Sequence, residues 1–180
     1  NLDAIEFITE EINNTHADFA AYIDSNAETL VLMDKSGNVA RDDLFLMFTS
    51  LILFKTMPDI EVVVPITAPS VIEDMAQKYN ARVVRTKTSA QAVMEKMLNY
   101  NLFKNRRNMH QFLLNYDAFA GLLKILEYFC TYNTSLTETL SEIPGFYMSR
   151  KKIYCPWELK GRVMRTLVTE KENEKVELLD

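Results

Sequence analysis

The chain has 180 residues, 48% of them hydrophobic and 25% charged, the balance of an ordinary globular protein with room for one medium domain. A net charge of −5 argues against a broad nucleic-acid surface, which needs clustered Lys and Arg. Four glycines and five prolines exclude long flexible linkers, and no apolar run reaches the roughly 18 residues that a membrane helix needs.

Leu2 to Asn13 places Leu2, Ile5, Ile8 and Ile12 on one face, which predicts an amphipathic helix. Residues 18 to 24 and 29 to 33 read as strands. Between the second of them and the next element, Asp34-Lys-Ser-Gly-Asn38 has the composition of a tight hairpin turn, with Gly37 free to take positive φ. Arg41-Asp42-Asp43 opens a helix, with an Asp expected as its cap. Leu44 to Met57 is the longest apolar stretch. Thr49, Ser50 and Lys55 interrupt it, so it reads as a buried helix.

Residues 60 to 97 carry the strongest signal. Short Val/Ile runs alternate with segments whose apolar residues recur at helical spacing. The expected order is strand, helix (Val71 to Tyr79), strand, helix (Ala90 to Met97). Such alternation predicts an α/β fold, a mixed and mostly parallel sheet flanked by helices. Ligands bind such sheets at the carboxyl ends of the strands. Those ends carry Thr67-Ala-Pro-Ser70 and Thr86-Lys-Thr-Ser89, so the second segment, with its lysine, is the first candidate site.

Asn99 to Asn108 is polar and irregular. Basic residues gather there at Lys104, Arg106 and Arg107, and again at Arg150, Lys151 and Lys152. Gln111 to Leu114 reads as a short strand. Asp117 to Tyr132 reads as a long helix with Phe119, Leu122, Leu123, Leu126 and Phe129 inward. Leu136 to Ile143 is a shorter helix before Pro144-Gly145. Phe146 to Cys155 reads as a strand, Trp157 to Thr169 as an amphipathic helix, and Lys175 to Asp180 as a last strand. Cys130 and Cys155 are read as buried free thiols in a reducing compartment, which points to the cytoplasm. The expected division is 1–40, the end of one unit; 41–145, a complete α/β domain; and 146–180, the start of another. Both ends look cut from a longer protein.

The order of elements and several strings resemble the α-D-phosphohexomutases, the phosphoglucomutase and phosphomannomutase superfamily. The strings are residues 18 to 37, Val62-Val-Val-Pro-Ile-Thr-Ala68, Arg85-Thr-Lys-Thr-Ser89, Asp117-Ala-Phe-Ala-Gly-Leu-Leu-Lys-Ile-Leu-Glu127 and Ser135-Leu-Thr-Glu-Thr-Leu140. The resemblance implies the end of domain 2, an α/β/α sandwich like domain 3, and the opening of domain 4. Cys155-Pro-Trp-Glu-Leu-Lys-Gly-Arg-Val-Met-Arg165 is similar to a subgroup in which a mutase-like region follows a sugar-phosphate nucleotidyltransferase of the mannose-1-phosphate guanylyltransferase type.

The family works with four loops. The phosphoserine loop has no counterpart here, and the loop for the non-transferred phosphate would fall after residue 180. The metal loop, Asp-Gly-Asp-Gly-Asp-Arg in the family, corresponds to Asp24-Ser-Asn26-Ala-Glu28-Thr29. The resemblance implies Mg²⁺ at Asp24, Asn26 and Glu28, held weakly or not at all because one carboxylate has become an amide. The sugar-reading loop, Gly-Glu-x-Ser-Gly-His, corresponds to Leu102 to Phe112, which has no Gly, Glu or Ser and whose His110 does not align with the family histidine. One position carries over. Family members place a lysine before a Thr-Gly pair facing the sugar, and the match is Lys87, followed by Thr88 and Ser89. Ser89 or Thr88 would cap the next helix, whose N-terminus favours an anion. The catalytic set is therefore empty. The expected ligand is a hexose phosphate bound weakly, and the other expected partners are domains of the same parent chain or a second copy. The favoured reading is a vestigial mutase-like region of a guanylyltransferase-type protein. Two alternatives stand beside it: part of a working isomerase that interconverts hexose 1- and 6-phosphates, and a structural domain without ligand.

Overall fold

The computed structural model describes residues 2–99, 107–149 and 154–171. The chain divides into two units, Asn1–Phe146 and Tyr147–Asp180. The first opens with α1 (Leu2–Thr15), whose Ile8 and Ile12 bury themselves with Met33. Next come β1 (Phe19–Ile23), β2 (Leu30–Asp34) and the two-residue β3 (Val39–Ala40), an antiparallel sheet in the order β1-β2-β3. The β2–β3 turn is the expected one. Gly37 takes φ +83, and the Asp34 carboxylate accepts N–H bonds from Ser36 and Asn38, both at 2.9 Å.

α2 (Asp42–Thr56) is the centre of the core, with Met47 through Phe54 all buried. Its capping differs from expectation. Arg41 is the N-cap residue with no side-chain cap bond, and Asp42 takes φ +51. Asp42 and Asp43 still lie in the first turn, where the helix dipole favours acidic groups. The strand-helix-strand-helix repeat follows as β4 (Glu61–Pro65), α3 (Val71–Lys78), β5 (Arg82–Thr86) and α4 (Ala90–Asn99). β4 and β5 pair in parallel, Val62 opposite Val83 and Pro65 opposite Thr86. The fold is thus mixed α/β, and among the described residues the parallel sheet is a pair and the three-stranded sheet is antiparallel.

Gln111 explains why the parallel sheet stops. Residues 111 to 114, expected as a strand, are the second half of α5 (Arg107–Tyr116). The buried Gln111 side chain accepts the Val63 N–H at Oε1 (3.0 Å) and donates from Nε2 to the Val63 carbonyl (2.6 Å). A side-chain amide thus makes both bonds that a neighbouring strand would have made on that edge of β4. Buried backbone groups need partners, and one amide supplies donor and acceptor together.

α6 (Ala118–Tyr132) starts at an Asp117 cap, whose carboxylate accepts the Ala120 N–H at 2.9 Å. Its inward face is the expected one only in part: Phe129 is buried and Leu122 packs against the core. Ala118, Gly121, Ile125, Tyr128 and Phe129 are buried, whereas Phe119 and Leu123 are 61% and 67% exposed and Leu126 is also exposed. Gly121 lies where α6 meets α5. A Cβ there would lie 3.3 Å from the Leu113 carbonyl oxygen, so any larger residue would push the α5 backbone away by a few tenths of an ångström. α7 (Leu136–Ser141) begins with a complete capping box between Ser135 and Glu138. Cys130 is exposed rather than buried, because it lies on the outward side of α6; Cys155 is partly buried.

The second unit contains α8 (Trp157–Lys171), in which Lys160 Nζ lies 4.9 Å from the Trp157 ring centre. The described parts of residues 146 to 155 carry no strand. Residues 150–153 and the expected tail strand at 175–180 lie outside the described residues, as do Lys104 and Arg106. Among the described residues, no helix is long and apolar enough to cross a membrane.

Candidate functional site

The carboxyl ends of β4 and β5 lie side by side. The ladder continues one step beyond the strands, from the Ile66 N–H to the Thr86 carbonyl at 2.7 Å. A turn then closes, with the Ala68 N–H on the Pro65 carbonyl at 2.9 Å, and the chain enters α3 at Ser70. Lys87 follows β5 directly and is exposed, as are Thr88 and Ser89. Ser89 Oγ accepts the Ala92 N–H at 3.2 Å, which makes it the residue that caps α4. The three sequence-predicted residues therefore stand where they were expected, at a strand end and a capped helix start. The arrangement is an open surface that presents one ammonium, two hydroxyl groups and the start of a helix.

Arg85, which the sequence reading passed over, organises this edge. Its Nε and Nη2 donate to the two Glu73 carboxylate oxygens at 2.7 and 2.9 Å. Its Nη1 donates to the carbonyls of Ile66 and Ala68 at 2.8 and 2.9 Å. The signal was present in the sequence, since a cation inside the apolar run Arg82-Val-Val-Arg-Thr86 must find partners where it is half-buried.

The Asp24–Thr29 loop is organised inward on itself. Asp24 Oδ1 accepts N–H bonds from Glu28 (2.9 Å) and Thr29 (3.1 Å), and the Asp24 N–H donates to the Thr29 carbonyl (3.2 Å). The Thr29 backbone bond is the largest influence holding the Asp24 carboxyl below the ordinary carboxylate range, with Glu28 and Asn26 adding to it. Ala27, where the family pattern has Gly, takes φ +58, and its carbonyl accepts the Ala118 N–H at 2.9 Å. The loop is thus latched to the start of α6. Asn26 and Glu28 are exposed, and among the described residues no three His, Cys, Asp or Glu side chains come together as a cation-binding group. Asp24 Oδ1 already holds two backbone amides, and the amide at Asn26 supplies no charge, so these residues offer Mg²⁺ less than three free carboxylates would. Glu28 and Thr29 instead border a hollow of about 350 Å³ shared with Tyr22, Arg41, Phe45 and Asn115.

His110 lies on α5 beside a different hollow, of about 240 Å³, together with Leu114, Lys124 and Tyr128. Burial lowers its pKa, Lys124 lowers it further, and Glu127 opposes the change. Residues 102 to 106 of the expected sugar-reading stretch lie outside the described residues; the rest of the stretch is helix.

Residues 41–147 match the family model described as phosphoglucomutase/phosphomannomutase, alpha/beta/alpha domain III. A phosphoglucosamine mutase of Methanococcus maripaludis strain C5 is 31% identical over 162 residues, which cover 85% of this chain and 35% of that protein. A phosphoglucomutase/phosphomannomutase of Thermococcus kodakarensis is 24% identical over 187 residues, covering all of this chain and 41% of that protein. The chain therefore spans little more than a third of the length of these relatives. Among solved structures, the apo form of an N-acetylglucosamine-phosphate mutase of the α-D-phosphohexomutase superfamily superimposes with a TM-score of 0.50 at 14% identity, over 76% of this chain and 43% of that one; this likeness concerns the fold alone. The sequence motifs, the parallel pair with its crossover helix and the match over residues 41–147 agree, and the chain belongs to the phosphoglucomutase/phosphomannomutase domain III family.

Proposed function

We propose that this chain is the third-domain region of a phosphohexomutase-type protein, and that its Thr86–Ser89 edge contacts the phosphate of a hexose or amino-hexose phosphate. The observation that carries this reading is an exposed Lys87 between the carboxyl end of β5 and the Ser89-capped start of α4. A lysine acts on phosphate as a point charge, and helix N-terminal amides favour the same anion. The relatives named above are mutases, which supports the isomerase reading of the whole protein ahead of the guanylyltransferase-type parent. Two features favour a binding rather than a catalytic part for this region. Asp24 Oδ1 is occupied by backbone amides, and α5 takes the place of a sheet neighbour where the sugar-reading loop was expected.

The test is an amide-shift titration of the chain with inorganic phosphate and with glucose-1-phosphate. Responses should centre on residues 86 to 91, saturate in the millimolar range (about 4 kcal/mol), and vanish in Lys87→Ala. In a coupled assay with glucose-1-phosphate and mannose-1-phosphate primed with the bisphosphate, the chain alone should not turn over. Turnover abolished by Asp24→Ala would show instead that the metal loop works.

A further inference from the structure

We infer that Arg85 is the positioning residue of the phosphate-facing edge: its guanidinium holds the Thr67–Ser70 turn in register with Lys87. The inference rests on the reading of Thr86–Ser89 just given. Four hydrogen bonds, two to Glu73 and two to the carbonyls of Ile66 and Ala68, leave one guanidinium N–H over. The group therefore joins three elements, the end of β5, the turn after β4 and the first turn of α3, beside the Ile66–Thr86 backbone bond. Its side chain is 26% exposed and that of Glu73 45%, so the two carbonyl bonds are partly shielded from water while the carboxylate pair lies at the surface. Arg85 and Lys87 have separate tasks. Arg85 has its charge matched by Glu73 and its fork filled, whereas Lys87, two residues on, is exposed at the edge. A lysine at position 85 would keep the charge but could not make the paired carboxylate contact and the two carbonyl bonds together, because an ammonium lacks the planar fork.

Two substitutions separate positioning from charge. Arg85→Lys leaves the net charge unchanged, so electrostatics alone predicts unaltered phosphate binding. Glu73→Gln removes a negative charge near the edge, so electrostatics alone predicts tighter binding. Positioning predicts that both weaken it, by about tenfold, the effect of one charge-assisted hydrogen bond lost from the support. The measurement is the same inorganic phosphate titration on the full chain, well below the unfolding midpoint of each variant. Amide exchange at Ile66 and Ala68 is followed in parallel without phosphate and should quicken about tenfold in Arg85→Lys while α2 amides stay protected. If wild type responds at residues 86 to 91 and both variants bind as well or better, the positioning role is overturned and the phosphate reading stands. If wild type shows no response there, the phosphate reading falls and exchange decides: unchanged protection at Ile66 and Ala68 overturns the role of Arg85, while selective loss upholds it as the holder of the turn.

Discussion

The two small sheets treat their charged residues in opposite ways. In the two turns that flank the antiparallel β2, Asp24 and Asp34 each turn a carboxylate oxygen onto backbone N–H groups of their own turn. At the end of the parallel pair, Arg85 is matched by Glu73 and two carbonyls, but Lys87 is left exposed. The difference follows from connectivity. A tight link between antiparallel strands must satisfy its own amides within a few residues, and a carboxylate acceptor does that. A crossover connection leads from a strand end into a helix start, whose first N–H groups face outward with no partner of their own. Acidic turns therefore consume their charge, while a strand end beside a helix start keeps an anion-seeking surface. The Asp24 loop, expected from the sequence to correspond to the family's metal loop, follows the first pattern.

The largest effect expected from breaking this comparison lies at Gln111. Gln111→Ala leaves the Val63 N–H and carbonyl buried without partners and should cost about 2 to 4 kcal/mol of stability, read from urea unfolding. A loss below about 0.5 kcal/mol would mean that the open edge of β4 is satisfied some other way.

Asp34 comes next, and its effect is set by pH. Burial alone would raise its pKa, but bonds from Asn38, Thr137 and Ser36 outweigh burial and hold it below 3.8. A carboxyl whose folded pKa is depressed adds stability that is fully present above its unfolded pKa and is lost as pH falls through the folded one. Unfolding midpoints should therefore fall as pH drops below about 4, the unfolded carboxyl range, and Asp34→Asn should flatten that acid limb while lowering stability at neutral pH. An unchanged acid limb in the variant would remove Asp34 from this role.

At the other end of β2, calorimetric titration with Mg²⁺ should give no saturable heat below the millimolar range, the level of the weakest protein sites. Asp24→Asn, which keeps an acceptor oxygen for the Glu28 and Thr29 amides, should be milder in thermal melts than Asp24→Ala. A tight one-to-one Mg²⁺ site lost in Asn26→Ala would place this loop with the parallel strand end rather than opposite it.

The smallest effect on stability belongs to Lys87→Ala. The side chain is exposed, so melting should change within about 0.5 kcal/mol while the phosphate response at residues 86 to 91 disappears. A large drop in stability would make Lys87 part of the scaffold rather than an open cation.

Much of this architecture was legible in residue order. Local rules placed the hairpin at Asp34–Asn38, the strand-helix-strand-helix repeat and the cap at Ser89, because each depends on neighbours within a few positions. Lys87 was legible for the same reason, being the residue after a Val-rich strand and before a Ser cap.

Three features were decided only by the tertiary structure. Gln111 to Leu114 has strand-like composition, yet a helix there buries Leu114 and sends the Gln111 amide to Val63, 48 residues away in sequence. α6 is apolar on nearly every side, so periodicity could not choose its inward face; in the folded chain the face with Gly121 lies against α5, and Phe119 and Leu123 are exposed. Arg85 looks in the sequence like one more cation beside Lys87. Only the folded chain brings Glu73 and the carbonyls of Ile66 and Ala68, 12 to 19 residues earlier, into the plane of one guanidinium. Sequence alone determines what neighbouring residues settle among themselves; partners brought together by folding depend on which groups burial would otherwise leave unsatisfied.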